Sequence, residues 1–423
     1  MSVAGSGCGK IALVWWVLDR TGSPKHMAAI MGPALFARYV LGVLLGPLGD
    51  KVERRKLILA ADVFRGCLSL LLATMFFSGH YSTGAVLAVN LGFALGAALF
   101  ETSSKSIVPH LVPLEELRDA VRQGQALMSL GEIAGGLIGG MVVSVLGAGA
   151  AFVLDALSYF AAAATAGAIR TRTGTAKEWD ARGQFLGTWV RDIRAGFSVV
   201  LGLPPLVGLI CVSVLSNLLL APISMEWAVL IKETKNLPPW FLGALTSSFS
   251  LGAIGGSMAL QRISRGNRLD RSILAGVVVT GMGIFLLPHV PNIPWAWLMA
   301  FLVGVGSMWT EIPMHTQLTL AMPDEFRARV DSIIVFCCGI AAPLGMTLAA
   351  ILIGRIGAVF TISLSGILLI CLAPCFARIP NFFEFFRQSP LDVPGFLPTL
   401  YPGAFQNAQS NQSVGNVEGF VAE

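Results

Sequence analysis

Charge is scarce in this sequence: 13% of its 423 residues are Asp, Glu, Lys or Arg, against about 25% in soluble domains. With 55% hydrophobic residues, that scarcity excludes a water-soluble fold. Chemistry-bearing groupings are missing too. No G-x-x-x-x-G-K-[ST] loop is present to hold a nucleotide, so ATP is not the driving force. No paired carboxylates, Ser-His-Asp set or metal cluster stands in a polar segment, so an enzyme is not expected, and neither a cofactor, a metal nor a nucleic-acid partner is. The seven cysteines (Cys8, Cys67, Cys211, Cys337, Cys338, Cys371, Cys375) lie in or beside apolar blocks. Their odd number and spacing argue against a disulfide framework, which leaves them as small packing residues.

What is abundant is apolar sequence in blocks of about 20 residues, the length that crosses a bilayer. Breaks at Pro, Gly and charge clusters divide the chain into twelve spans, centred near residues 11, 38, 68, 95, 136, 160, 216, 249, 281, 306, 341 and 366. Arg and Lys crowd into every second connection. Lys51, Arg54, Arg55 and Lys56 are followed by Lys105, Arg118 and Arg122. The central loop holds Arg170, Arg172, Lys177, Arg182, Arg191 and Arg194; Arg262, Arg265, Arg268 and Arg271 follow, and then Arg327 and Arg329. Basic loops stay cytoplasmic, which puts both termini inside. The expected organisation is a six-helix bundle over 1–170 and a cytoplasmic linker over 171–195 carrying an amphipathic helix. A second six-helix bundle spans 196–378 and a cytoplasmic tail 379–423, polar at its end.

The halves repeat. A shift of 210 carries Gly96 and Glu101 onto Gly306 and Glu311, Pro113 and Glu115 onto Pro323 and Glu325, Gly147 onto Gly357, and Gly46 onto Gly256. Duplicated bundles are the common build of secondary transporters, with substrate held between the halves near the midplane.

Between the second and third spans, Gly46, Leu48, Gly49, Asp50, Lys51, Arg54 and Arg55 read G-x-L-G-D-K-x-x-R-R. Its glycines permit close helix approach, Asp50 can cap a helix start and pair with an Arg, and the basic residues suit an anionic inner leaflet. This loop resembles the signature of the major facilitator superfamily. The fifth span adds Gly131, Gly135, Gly139 and Gly140, spaced like the family's antiporter signature, with Gly136 in place of its Pro. Longer stretches, "SKSIVPHLVPLEELRDAV", "FVLDALSYFAAA" and "MPDEFRARVDSII", resemble the enterobactin-exporter and macrolide-efflux branch, and the likeness reaches about residue 378.

The resemblance implies an all-α polytopic membrane protein of the major facilitator fold, two six-helix bundles and about twelve transmembrane helices. It also implies some twenty residues ahead of "GKIALVWWVLDRTGS"; nine precede Lys10, so the first span reads as shortened. The implied function is secondary active export of a small amphipathic molecule, a siderophore or a drug, by proton antiport and alternating access. The protein would act as a monomer in the inner (plasma) membrane, with small-molecule substrate, protons and lipid as partners. Two alternatives stay open: a lipid or lysolipid translocator on the same fold, and a non-transporting membrane protein or interaction partner.

Site expectations follow. Asp50, with Gly46, Lys51, Arg54 and Arg55, would form a charge latch that closes the cytoplasmic side. Asp62 and Arg65, one turn apart, can pair within it. In the second copy, "GSMALQRISRGNR", Leu260 falls where Asp50 would. Ionisable groups inside spans are costly and point to function. Glu132 and Asp155 are the proton-carrier candidates, while Glu101 and Glu311, near inner helix ends, read as structural, and Glu226 lies near the outer end of the seventh span. Asn90, Asn217 and Trp309 are candidates for lining the substrate cavity.

Overall fold

The computed structural model describes residues 2–45, 53–80, 82–111, 117–168, 196–263, 268–388 and 392–405. Gly46, Asp50, Lys51, most of the central linker and the polar end of the tail lie outside the described residues. Helices account for nearly everything else. In the first half they are α1 (Ser2–Thr21), α2 (Pro24–Leu45), α3 (Arg54–Ser78), α4 (Thr83–Leu111), α5 (117–146) and α6 (148–168). In the second they are α7 (204–234), α8 (Pro239–Ile263), α9 (Leu269–Leu286), α10 (Ile293–Ala321), α11 (Asp324–Ile356) and α12 (Ala358–Ala377). Eight stretches among the described residues are long and apolar enough to cross a membrane, and the longest is two helices divided at Gly147. The set leaves out α1, α2 and α8. These three pack within and between the halves, as the contacts below show.

The repeat is visible in the backbone. Gly147 breaks α5 from α6 at φ 83°, and Gly357 breaks α11 from α12 at φ 83°, a left-handed conformation that glycine adopts without penalty. The shift of 210 therefore holds for the last three helices of each half. It does not hold for the first two. Lys25 meets Gly354 where Trp240 meets Ser144, and Gly32 meets Pro343 where Ser247 meets Ile133. These matched contacts relate α2 to α8 by 215. Gly135 meets the Ala4 carbonyl as Gly345 meets that of Leu218, which relates α1 to α7 by 214. The difference is absorbed in α3, which is longer than α9. The pairing of Gly46 with Gly256 and of Asp50 with Leu260 is thereby corrected. Gly256 lies inside α8 against the backbone of Val305, and Leu260 is a core residue of the same helix, 5% exposed.

One end of the bundle carries Arg54, Arg55, Lys56, Arg268, Arg271, Arg327 and Arg329; we call it the Arg-rich end. The aromatic segment after Pro380 packs back onto this end of the second half. Phe382, Phe385 and Phe386 are buried, Phe405 stacks near Phe326 at 5.8 Å, and Ala404 meets Gly202. Arg387 donates from Nε and Nη2 to Asp270 Oδ2 at 2.9 and 2.8 Å, at the start of α9. Two short helices, α13 (Phe382–Phe385) and α14 (Val393–Leu400), form the strap.

Candidate functional site

The halves meet through two helix pairs, α5 with α8 and α2 with α11. Glycines allow the first. A Cβ on Gly243 would stand 2.2 Å from the Gly136 carbonyl oxygen, and one on Gly140 would stand 2.9 Å from Trp240 Cα. Ser247 Oγ donates to the Ile133 carbonyl at 2.8 Å, and the Trp240 amide to Ser144 Oγ at 2.8 Å. In the second seam Gly32 meets Pro343 and Gly339 meets the Tyr39 ring. Lys232 reaches across to Asp19 at 2.6 Å. Among the described residues, these contacts run from the end opposite the Arg-rich one to about mid-helix.

The fifth-span glycines have two jobs in this packing. Gly131, Gly135 and Gly139 receive α1 at Val3, Ala4 with Gly7, and Cys8, whereas Gly136 and Gly140 receive α8. At about 100° per residue, Glu132 falls between those faces, opposite the lipid-facing Leu130, Leu137 and Met141, which are exposed. Glu132 is itself exposed, and so is Lys10 on α1. Lys10 is nevertheless enclosed by the bundle and lies in the field of Arg38, Glu132, Glu101 and Asp155. Both therefore line an interior space that solvent reaches.

That space is charged. Arg38 of α2 pairs with Glu101 of α4. Glu101 stands ten residues before the end of α4 and Glu311 ten before the end of α10, almost three turns in. Both helices continue beyond these carboxylates, and Glu101, three residues before the end of the apolar stretch Thr83–Ser104, is paired as a structural carboxylate would be. Glu311 is exposed, and His315, one turn on, is 4.0 Å from Asp331 of α11.

Behind the cavity wall the first half holds a buried polar core. Arg65 pairs with Asp62 and lies 4.5 and 4.6 Å from the ring centroids of Phe100 and Tyr159, so two aromatic rings also receive its charge. Tyr159 shares a 2.8 Å hydrogen bond with Ser6 of α1. Asp155 is 3% exposed and accepts from Ser69 Oγ at 2.8 Å; its Oδ1 has no hydrogen-bond partner. Gly5 and Gly9 of α1 lie against this carboxylate. Asp155 stands two turns into α6, beyond reach of a helix cap.

The remaining expected residues divide. Arg55 donates to the Ala166 and Gly167 carbonyls, tying the α3 start to the last turn of α6. Asn90 donates to Ile30 O at 3.1 Å, Asn217 to Ser213 O of its own helix at 3.1 Å, and Trp309 to Gly256 O at 3.0 Å. Asn90 and Trp309 tie neighbouring helices together, Asn217 bonds within its own, and the three do not converge on one site. Lys10 and Arg38 were missed by sequence reasoning. Lys10 stands in the sequence only as a marker of how short the first span is, and Arg38 is a charge amid the apolar stretch of α2 whose partner lies 63 residues away. Glu226, 0% exposed, accepts only a 3.5 Å contact from Ser365, and its Oε2 has no partner.

Comparison with known proteins agrees with this architecture. The profile described as Major Facilitator Superfamily matches residues 2–346. The chain is 25% identical over 371 residues to macrolide efflux protein A of Streptococcus pyogenes, covering 86% of this chain and 89% of that protein. It is 25% identical over 413 residues to multidrug efflux pump Tap of Mycobacterium tuberculosis, covering 93% and 94%. Among solved structures, a POT family transporter in complex with a thioalcohol-conjugated peptide superposes with a TM-score of 0.69 at 13% identity, covering 90% and 94%. A bacterial homologue of the human lysosomal transporter Spinster, inward-facing and unoccupied, superposes with a TM-score of 0.60 at 14% identity, covering 97% and 95%.

Proposed function

We propose that this chain, which belongs to the major facilitator superfamily, exports a small amphipathic molecule of the drug or siderophore class by alternating access, driven by proton antiport. The carrying observation is the arrangement of the seams. They close the two halves against each other at one end and leave Lys10, Arg38, Glu101, Glu132 and Glu311 accessible on the Arg-rich side. With basic loops inside, this is an inward-facing exporter waiting for cargo, and both termini are cytoplasmic. The efflux names of its relatives support the direction. Each chain encloses its own cavity and works as a monomer.

Transport requires the seams to part and the Arg-rich ends to close, the latter through Asp50 and its basic neighbours. Glycine-lined contacts suit that exchange because backbone surfaces part without repacking long side chains. Glu132 and Asp155 are the proton carriers of this reading. Glu132 faces the cavity beside α1, and Asp155 stands behind α1 with one hydroxyl donor. A carboxyl group that takes a proton on one side and releases it on the other couples cargo to the gradient.

The test uses inverted membrane vesicles carrying the full chain and acidified inside. Radiolabelled erythromycin should accumulate, and a protonophore should abolish the accumulation. Glu132→Gln should still bind erythromycin yet lose the response to the gradient. Accumulation that persists after the gradient is collapsed would rule out antiport.

A further inference from the structure

Resting on the alternating-access part of that reading, we propose that the aromatic strap makes the two seams open together, with Arg387 as the positioning residue that fastens it. The second half's seam helices are α8 and α11. Among the described residues α8 packs on α10, and α10 on α9, while α11 packs on α7; α12 lies against α7, α9 and α11. The two seam helices therefore belong to different groups, bridged among the spans by α12. At the Arg-rich end the strap continues that bridge. It lies beyond residues 2–346, the part that the family profile matches.

The strap is keyed into both groups. Phe376, in the last turn of α12, starts a chain of rings. Its centroid is 6.2 Å from that of Phe382, which is 4.9 Å from Phe386; Phe385 is 5.0 Å from Phe386 and 5.8 Å from Phe396 of α14. Tyr401 closes the strap on itself, donating to Asn381 Oδ1 at 3.0 Å. Toward one group, α14 packs on α10 and Arg387 holds Asp270 of α9. Toward the other, Ile379 meets Gly208 of α7, and Phe405 meets Phe326 in the first turn of α11.

The repeat shows what Arg387 replaces. Gly66 meets Phe160 as Gly281 meets Ile370, so α9 follows α3 by 215 and α12 follows α6 by 210. Asp270 thereby stands where Arg55 stands, and Phe376 and Ala377 where Ala166 and Gly167 stand. In the first half Arg55 ties these points directly, by donating to the two carbonyls. A carboxylate cannot donate to the end of a helix, whose dipole is negative there. In the second half the guanidinium therefore comes from the tail. Asp270 is 1% exposed and its Oδ1 has no partner, so the clasp holds a carboxylate withdrawn from water. The consequence is tight closure. A seam that opened alone, while the Arg-rich ends stayed apart, would join the cavity to both sides of the membrane. A strap fastened to both groups disfavours that state.

The experiment measures seam opening in the full chain, in nanodiscs and a cysteine-free background. One spin-label pair, Leu146 and Pro238, spans the α5–α8 seam. Another, His26 and Ile356, spans the α2–α11 seam; all four positions are exposed. Distances are recorded as pH and erythromycin are varied. In wild type the open fractions at the two seams should rise together. The double variant Asp270→Ala with Arg387→Ala leaves no unpaired buried charge. In it the two opening equilibria should part by about 10-fold, the effect of one charge-assisted contact. Arg387→Lys keeps the charge and should keep the fractions together. Phe405→Ala frees the α11 attachment alone and should part them as the double variant does. Monodisperse elution and a retained thermal transition establish that each variant is folded. Wild-type seams that open to different extents, or folded variants whose seams still open together, would overturn the strap's role and leave alternating access standing. Wild-type seams that never open would remove alternating access and the strap's role with it.

Discussion

The two halves arrange the same six helices in the same order, yet they differ sharply in the charges held at matched positions. The first half holds Lys10, Arg38, Asp62, Arg65, Glu101, Glu132 and Asp155 within its spans. At the matched positions the second half has Ser224, Ala253, Val277, Thr280, Glu311, Ala342 and Ser365, α3 being set at 215 by Gly66 against Phe160 and Gly281 against Ile370. A single carboxylate survives. Duplication therefore preserved the packing code, seen in Gly147 with Gly357 and Gly135 with Gly345, while the charge code was lost from one copy or gained in the other. Shape and electrostatics are separable in this fold. The first half is built as a charged unit. The second offers a neutral wall with Glu311 exposed on it, and its charged device lies at the Arg-rich end, where the tail's Arg387 holds Asp270.

The comparison can be broken first at Arg65. Arg65→Ala leaves Asp62 buried without its cation and should destabilise the protein by about 3–5 kcal/mol. Its counterpart Thr280 is buried but carries no charge and leaves none behind, so Thr280→Val should cost less than about 1.5 kcal/mol. Thermal unfolding of the two purified variants checks both, and equal losses would erase the asymmetry.

Leu260 and Asp50 sharpen it next. Leu260 is core in α8, so Leu260→Ala should cost about 2–5 kcal/mol of stability. Asp50→Asn should fold normally and slow erythromycin transport severely, since a charge-assisted contact contributes about 1.5–3 kcal/mol. The first variant is read by Tm and the second by transport rate. Transport loss without Tm loss at both positions would restore them as counterparts.

The seams should respond more mildly. Gly243→Val drives a side chain into the Gly136 carbonyl, and overpacking of about 1–3 kcal/mol should favour the state in which α5 and α8 are apart. Disulfide trapping between cysteines at Ser144 and Trp240 should then fall. Gly42→Ala, with open space around it, should leave trapping unchanged. The smallest effect belongs to Asp19 and Lys232, a partly exposed pair. A double-mutant cycle with Asp19→Asn and Lys232→Met should give about 0.2–1 kcal/mol, decreasing as salt is raised.

Much of this was readable in the sequence, and the unread part has physical causes. All twelve helices fall where apolar block length and punctuation put them, and the Gly147 and Gly357 breaks follow from the repeat. Register failed in α2 because a lone glycine match, Gly46 with Gly256, cannot reveal a length difference in the neighbouring helix; only contacts across the seams can. Arg38 was invisible because its meaning lies in Glu101, one helix away in space. Asn90 and Trp309 misled because a polar side chain in a span satisfies a neighbour's backbone as readily as a ligand. Asp62 and Arg65 were legible because their pairing is local, one turn along one helix.

Alternating access about the two seams is the central claim, and two distances measured together test it. In a cysteine-free background, one spin-label pair at Ser82 and Asn292 reports the end where the seams close. A second pair at Lys56 and Arg271 reports the Arg-rich end; all four positions are exposed. Electron–electron distances are recorded in nanodiscs as pH and erythromycin are varied. The account predicts two populations at each end, with the Ser82–Asn292 distance lengthening whenever the Lys56–Arg271 distance shortens. Distances that stay fixed, or that lengthen and shorten together, would contradict it.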